Sequence, residues 1–168
     1  MMTETLGTGL AELHRTEYRS LVRLAAILLG DAAAAEEVTQ DAFAGALAAQ
    51  GRMTDPDKLL AYVRSAVLNR ARSRLRRGAV AARPWRRAAE AVVPSPEDAA
   101  VVGSRRALVL AALRTLPRRQ RECLALRYYL DLSDTEVAAA LGVSVGSVKQ
   151  HISRGLDNLA SRLEGHDA

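Results

Sequence analysis

The chain has 168 residues, 49% of them hydrophobic but only 4% aromatic. That balance, with abundant alanine, favours helices over sheets and suits one or two small domains. One cysteine, Cys123, excludes an internal disulfide and a multi-cysteine metal site. No apolar run reaches the roughly 18 residues a membrane span needs. The start, MMTETLGTGLAELHR, lacks the basic-then-apolar form of a signal peptide, so a cytoplasmic protein without membrane insertion is expected. The formal charge of +5 is uneven. Residues 1–50 carry −4, residues 51–90 carry +8 and residues 91–168 carry +1. A basic band after an acidic start suggests one surface for a polyanion and another for a different partner. A solvated, arginine-rich helix end would give the same count.

Leu10, Leu13, Leu21, Leu24 and Leu28 recur at helical spacing and predict a first helix over 10–29, stopped by Gly30. Asp31 can cap a second helix that runs to about residue 50, with Glu36 and Glu37 near its start. Asp55 and Pro56 open a third, with proline at the first helical position. This third helix, over about 57–77, is the basic one. Leu59, Leu60, Val63, Val67 and Ala71 form its apolar stripe. Ser65, Asn69, Arg72 and Arg76 fall opposite, flanked by Arg64, Arg70 and Arg77. Residues 79–104 hold Pro84, Pro94 and Pro96, show no sustained period and read as a linker around the lone Trp85. The expected domains are therefore 1–78 and 105–168. The second starts with a short helix ended by Pro117, followed by RRQRECLALRYYL.

The stretch EVAAALGVSVGSVKQHISR poses the functional question. Ser133 with Glu136 three residues on makes a capping box. The helix it starts buries Val137, Ala138 and Leu141. Ala138 is small where two helices cross, Gly142 can take a positive φ, and Val143 plugs the turn. Ser144 caps the next helix, expected to bury Val148, Ile152, Leu156, Leu159 and Leu163. This is the pattern of a helix-turn-helix. With Val148 and Ile152 inward, Ser147, Lys149, Gln150, Ser153 and Arg154 point outward, with His151 at the border. Those residue types suit a major groove, and the first turn offers backbone N–H groups to a phosphate. No acid lies between Ser144 and Arg154, where an ordinary solvated helix mixes both signs. A plain structural hairpin is the alternative.

Three stretches, LLGDAAAAEEVTQDAF, AYVRSAVLNRARSRLRR and LPRRQRECLALRYYLDLSDTEVAAALGVSVGSVKQHISRGLDNLASRL, together resemble the extracytoplasmic-function, or group 4, sigma factors of the sigma-70 family of bacterial RNA polymerase. The likeness spans nearly everything from Leu10 to Leu163, and the arginine-rich form is similar to actinobacterial members. The resemblance implies an all-α protein of two small helical domains: a region 2-like bundle, and a region 4-like helix-turn-helix beyond a flexible linker. It implies a sigma factor that directs core polymerase to promoters and starts transcription without being an enzyme or using a cofactor.

By the same likeness, Glu37, Gln40, Asp41 and Phe43 meet the clamp helices of the largest polymerase subunit. The flap of the second-largest subunit is a further contact, and an anti-sigma factor is a possible partner. Glu36 and Glu37 could instead simply favour a helix N-terminus. The loop bearing Arg52 and the helix bearing Asn69, Arg72 and Arg76 would hold the displaced promoter strand at −10. Asn69 matches the family's AVN-type motif, although on spacing alone it is a surface residue. The −35 contacts fall on Ser147, Lys149, Gln150, Ser153 and Arg154. One departure is clear: many relatives carry aromatics just after the DAF segment, where this chain reads AGALAAQG. Tyr62 is the nearest aromatic in the basic helix.

Two other classes are weighed. A regulator that never engages polymerase needs only residues 105–168 and leaves the basic and acidic helices without a purpose. An enzyme is disfavoured, because His14, His151 and His166 are scattered and there is no glycine-rich phosphate loop. Glu37 and Asp41 lie one turn apart without a third ligand, so no metal site is expected. Cys123, among arginines, could be a low-pKa thiol, although its helical spacing suits packing.

Overall fold

The computed structural model describes residues 2–49, 55–80 and 102–164. Every regular element among them is helical: α1 Met2–Leu29, α2 Ala32–Ala49, α3 Pro56–Val80, α4 Val102–Thr115, α5 Arg118–Leu124, α6 Asp134–Leu141 and α7 Val145–Glu164. A π-helical turn, Ala125–Tyr129, extends α5. No described helix is long and apolar enough to cross a membrane. The chain divides into two compact units, residues 1–85 and 86–168. Helices reach into both ends of the stretch expected as a linker, since α3 runs to Val80 and α4 starts at Val102. Arg52, Trp85, His166 and residues 81–101 of the expected linker lie outside the described residues.

In the first unit α1, α2 and α3 pack on one another. Gly30, at φ 72°, ends α1. Asp31 then caps α2, its Oδ1 accepting from the Ala34 N–H at 3.0 Å. Asp55 caps α3 in the same way, accepting from Asp57 N–H at 3.0 Å. Each cap satisfies an N–H that a helix start leaves orphaned. Leu21, Leu24, Ala25, Val63, Val67 and Leu68 are almost wholly buried and form the centre of the core.

In the second unit α7 packs across α4, α5 and α6. Its core is Cys123, Leu126, Val137 and Val148, all at 0% exposure. Pro117, with extended backbone, separates α4 from α5. After the π turn, Asp131 takes a positive φ of 53°, and Arg127 bridges this bend. Its guanidinium lies 3.8 Å from Asp131 and 3.6 Å from Asp134, and it donates to the Leu132 carbonyl at 3.3 Å.

Candidate nucleic-acid interface

The turn between α6 and α7 has the expected form. Ser133 Oγ accepts from the Glu136 N–H at 3.2 Å, and Glu136 Oε2 accepts from the Ser133 N–H at 2.8 Å. Gly142 sits at φ 65°, ψ 40°, the left-handed conformation that closes a helix without a Cβ clash. Val143 donates its N–H to Ala138 O at 3.1 Å. Ser144 caps α7 by accepting from the Ser147 N–H at 3.1 Å, and the two hydroxyls share a further bond at 2.9 Å. The hydroxyl of Ser147 is thus engaged in the cap, and its side chain is only half exposed.

Lys149, Gln150, Ser153 and Arg154 are all exposed. At 100° per residue they span one flank of α7, opposite Val148, Ile152 and Gly155. The structure therefore brings together four of the five −35 candidates as a free polar flank. The apolar face departs from expectation, because Leu156 is 41% exposed and Gly155 is buried. The helix meets α5 at Gly155, and Leu156, about 100° further round, is carried out of the interface.

On α3, Asn69 and Arg76 are exposed and Arg72 is half-buried. Arg72 Nη1 donates to Asn69 Oδ1 at 3.3 Å, and Arg76 Nη2 donates to Ser73 Oγ at 3.0 Å. Each bond spans one turn back along the helix, so both guanidinium groups lie along its surface, with the Asn69 amide at the N-terminal end of the row. Tyr62, 38% exposed, lies seven residues before Asn69, two turns away on the same face. Tyr62, expected from the sequence as the nearest aromatic of the basic helix, thus shares the Asn69 face, as its heptad spacing implies.

The acidic face of α2 is reached by Glu37, Gln40 and Asp41, all exposed. Glu37 is tied to α3 by Arg74 at 2.6 Å, and Gln40 Nε2 donates to Tyr18 Oη at 3.3 Å. Phe43 corrects the expectation. It is 6% exposed, its ring edge-on to His14 with centroids 4.9 Å apart. It lies about 160° round the helix from Asp41, which turns it into the α1–α2 packing. Phe43 shapes the surface and does not present itself on it.

Cys123 is fully buried. Burial, helped by the neighbouring Glu122 carboxylate, pushes its thiol up to about 11, so it stays protonated at neutral pH. This removes the reactive-thiol reading. Burial also lowers the Arg121 guanidinium from its ordinary value, and its Nη1 is held by the Arg114 carbonyl at 3.2 Å. Among the described residues no cluster of three or more His, Cys, Asp or Glu could hold a metal.

A three-helix unit with a basic face and a capped helix-turn-helix unit define an all-helical class of two-part transcription proteins. Residues 13–80 match the Sigma-70 region 2 family and residues 106–159 match the Sigma-70, region 4 family. The RNA polymerase sigma-E factor of Streptomyces antibioticus is 31% identical over 156 residues, covering 93% of this chain and 85% of that protein. The ECF RNA polymerase sigma factor BldN of Streptomyces coelicolor is 31% identical over 140 residues, covering 80% and 53%. Among solved structures, the sigma factor RpoE of Bartonella quintana, crystallised with the anti-sigma factor NepR, superposes with a TM-score of 0.76. It has 23% identity and covers 92% of this chain and 96% of that one. CnrH, solved with the cytosolic domain of CnrY, gives 0.69 at 23% identity and covers 96% of each chain. The chain belongs to the sigma-70 family of RNA polymerase sigma factors, in its extracytoplasmic-function group, with actinobacterial relatives.

Proposed function

We propose that the two units of this sigma factor recognise separate promoter elements. Helix α7 reads the −35 element from the major groove through Lys149, Gln150, Ser153 and Arg154, with Ser147 holding the cap and lying at the edge of the contact. The face of α3 bearing Asn69, Arg72 and Arg76 captures the displaced strand at −10, and Arg52 contributes to the same strand contact. Tyr62 supplies the one exposed ring on that face, and stacking a base on it is worth about 1–3 kcal/mol. That capture offsets the few kcal/mol needed to unstack a base. Glu37, Gln40 and Asp41 form the contact with the clamp helices of the largest polymerase subunit, where an acidic surface does not compete for DNA. The flap of the second-largest subunit is the partner of the C-terminal unit. An anti-sigma factor is a further partner, as it is for the Bartonella quintana relative. The protein works in the cytoplasm and is not itself an enzyme.

The observation that carries this reading is the free flank of α7: four polar or basic side chains, no acid among them, exposed opposite a fully buried Val148. The test is run-off transcription with purified core polymerase on a randomised promoter library. Defined start sites are expected with the full chain, and their absence overturns the reading. Asn69→Ala is expected to reduce permanganate reactivity at −10 while leaving closed-complex binding in place. A regulator acting without polymerase would fail to co-purify with core enzyme.

A further inference from the structure

A glycine inside a helix is destabilising relative to alanine, yet Gly155 lies near the middle of the 20-residue α7 and is buried. Its surroundings explain the choice. A Cβ at this position would stand 3.0 Å from Leu124 Cδ1, 3.2 Å from Leu124 Cγ and 3.3 Å from Gln120 Cβ. Helices α5 and α7 therefore approach so closely here that even a methyl group would push Leu124 or the helix aside by a few tenths of an ångström. One turn later the same Gln120 accepts at Oε1 a hydrogen bond from Asn158 Nδ2 at 2.9 Å. Arg162 continues the row, donating to Asn158 O at 3.1 Å and to Thr115 O at 3.3 Å. The close approach sets the depth of α7 against α5. The directional bond from Asn158 sets its rotation and its position along the axis.

We propose that Gly155, Gln120 and Asn158 form a register lock, and that Gly155 is a positioning residue for promoter discrimination. The second half of the proposal rests on the reading of α7 as the base-reading helix. Ser153 and Arg154 directly precede Gly155, and Lys149 and Gln150 lie within two turns of it. Hydrogen bonds to base edges hold over a window of only about 0.5 Å in distance. A helix pushed outward by a few tenths of an ångström weakens them, whereas phosphate attraction, being long-ranged, hardly changes.

The experiment uses the full-length chain reconstituted with core polymerase and a DNA library randomised over the upstream element. It reads the affinity ratio of the best sequences to the library mean. Gly155→Ala is expected to lower that ratio about three- to tenfold, with unchanged affinity for the library mean and no fall in Tm, since alanine is the better helix former. Leu124→Ala alone should keep the ratio. The double variant Gly155→Ala/Leu124→Ala, or with Leu124→Val where alanine unfolds the unit, should recover at least half of it. The Asn158 side-chain amide resonances should move in Gly155→Ala and return in the double variant. An undiminished ratio in Gly155→Ala overturns the proposal. So does an equal loss for best and mean sequences with a lowered Tm, or a double variant without recovery. A wild-type holoenzyme with no upstream preference sinks the base-reading role itself. The lock then stands or falls on the amide resonances alone, and unmoved resonances refute it.

Discussion

Helix α3 in the first unit lies against both α1 and α2, buried through Leu59, Val63, Val67, Leu68 and Ala71. Helix α7 in the second unit has only two buried residues, Val148 and Gly155, and owes its placement to special local geometry. That geometry comprises a capping box, Gly142 at φ 65°, a serine cap and the Gly155 approach to α5. A face that holds a charged backbone tolerates some slack, because Coulomb attraction falls off gently with distance. A face that reads bases does not, because hydrogen bonds are short and directional. The first unit secures its helix by area, and the second by points.

The largest effect expected is on the area side. Leu24→Ala, at a site with 0% exposure, should cost about 2–5 kcal/mol of stability in a denaturant titration without changing base preference in the protein that remains folded. A changed preference would break the distinction between the units. Next comes the reading face: Gln150→Ala should lose about 1–3 kcal/mol of discrimination at one base position while polymerase pull-down is unaffected. Loss of pull-down would remove the division between the faces. Ser133→Ala deletes half of the capping box and should cost about 0.5–2 kcal/mol by thermal melting. Its effect should be seen in the second unit, as earlier exchange of α6 amides. The smallest change is Arg74→Ala, which breaks an exposed pair with Glu37. It should cost no more than about 1 kcal/mol, and less in high salt. A salt-independent loss would show that the pair does more than tether α2 to α3.

Much of this was legible in the chain because the signals are local. Gly30, Asp31, Asp55, Ser133, Gly142 and Ser144 act within a few residues of themselves, and all six do in the structure what their types suggest. The outward positions of Gln150 and Arg154 follow from helical period alone. Leu156 misled because a leucine at near-heptad spacing is read as core wherever the crossing helix happens to lie. Phe43 misled in the other sense: resemblance put it on a surface, whereas its angle from Asp41 had already turned it inward.

The order of helices, their caps, the basic face of α3 and the polar flank of α7 are properties of the amino-acid sequence itself, since period and propensity operate within a segment. Where α5 crosses α7 was decided only when the unit packed. That a Cβ at Gly155 would press on Leu124 and that Gln120 meets Asn158 across 38 positions both depend on contacts between segments distant in sequence. No local pattern encodes such contacts, because their energy exists only once both surfaces are in place.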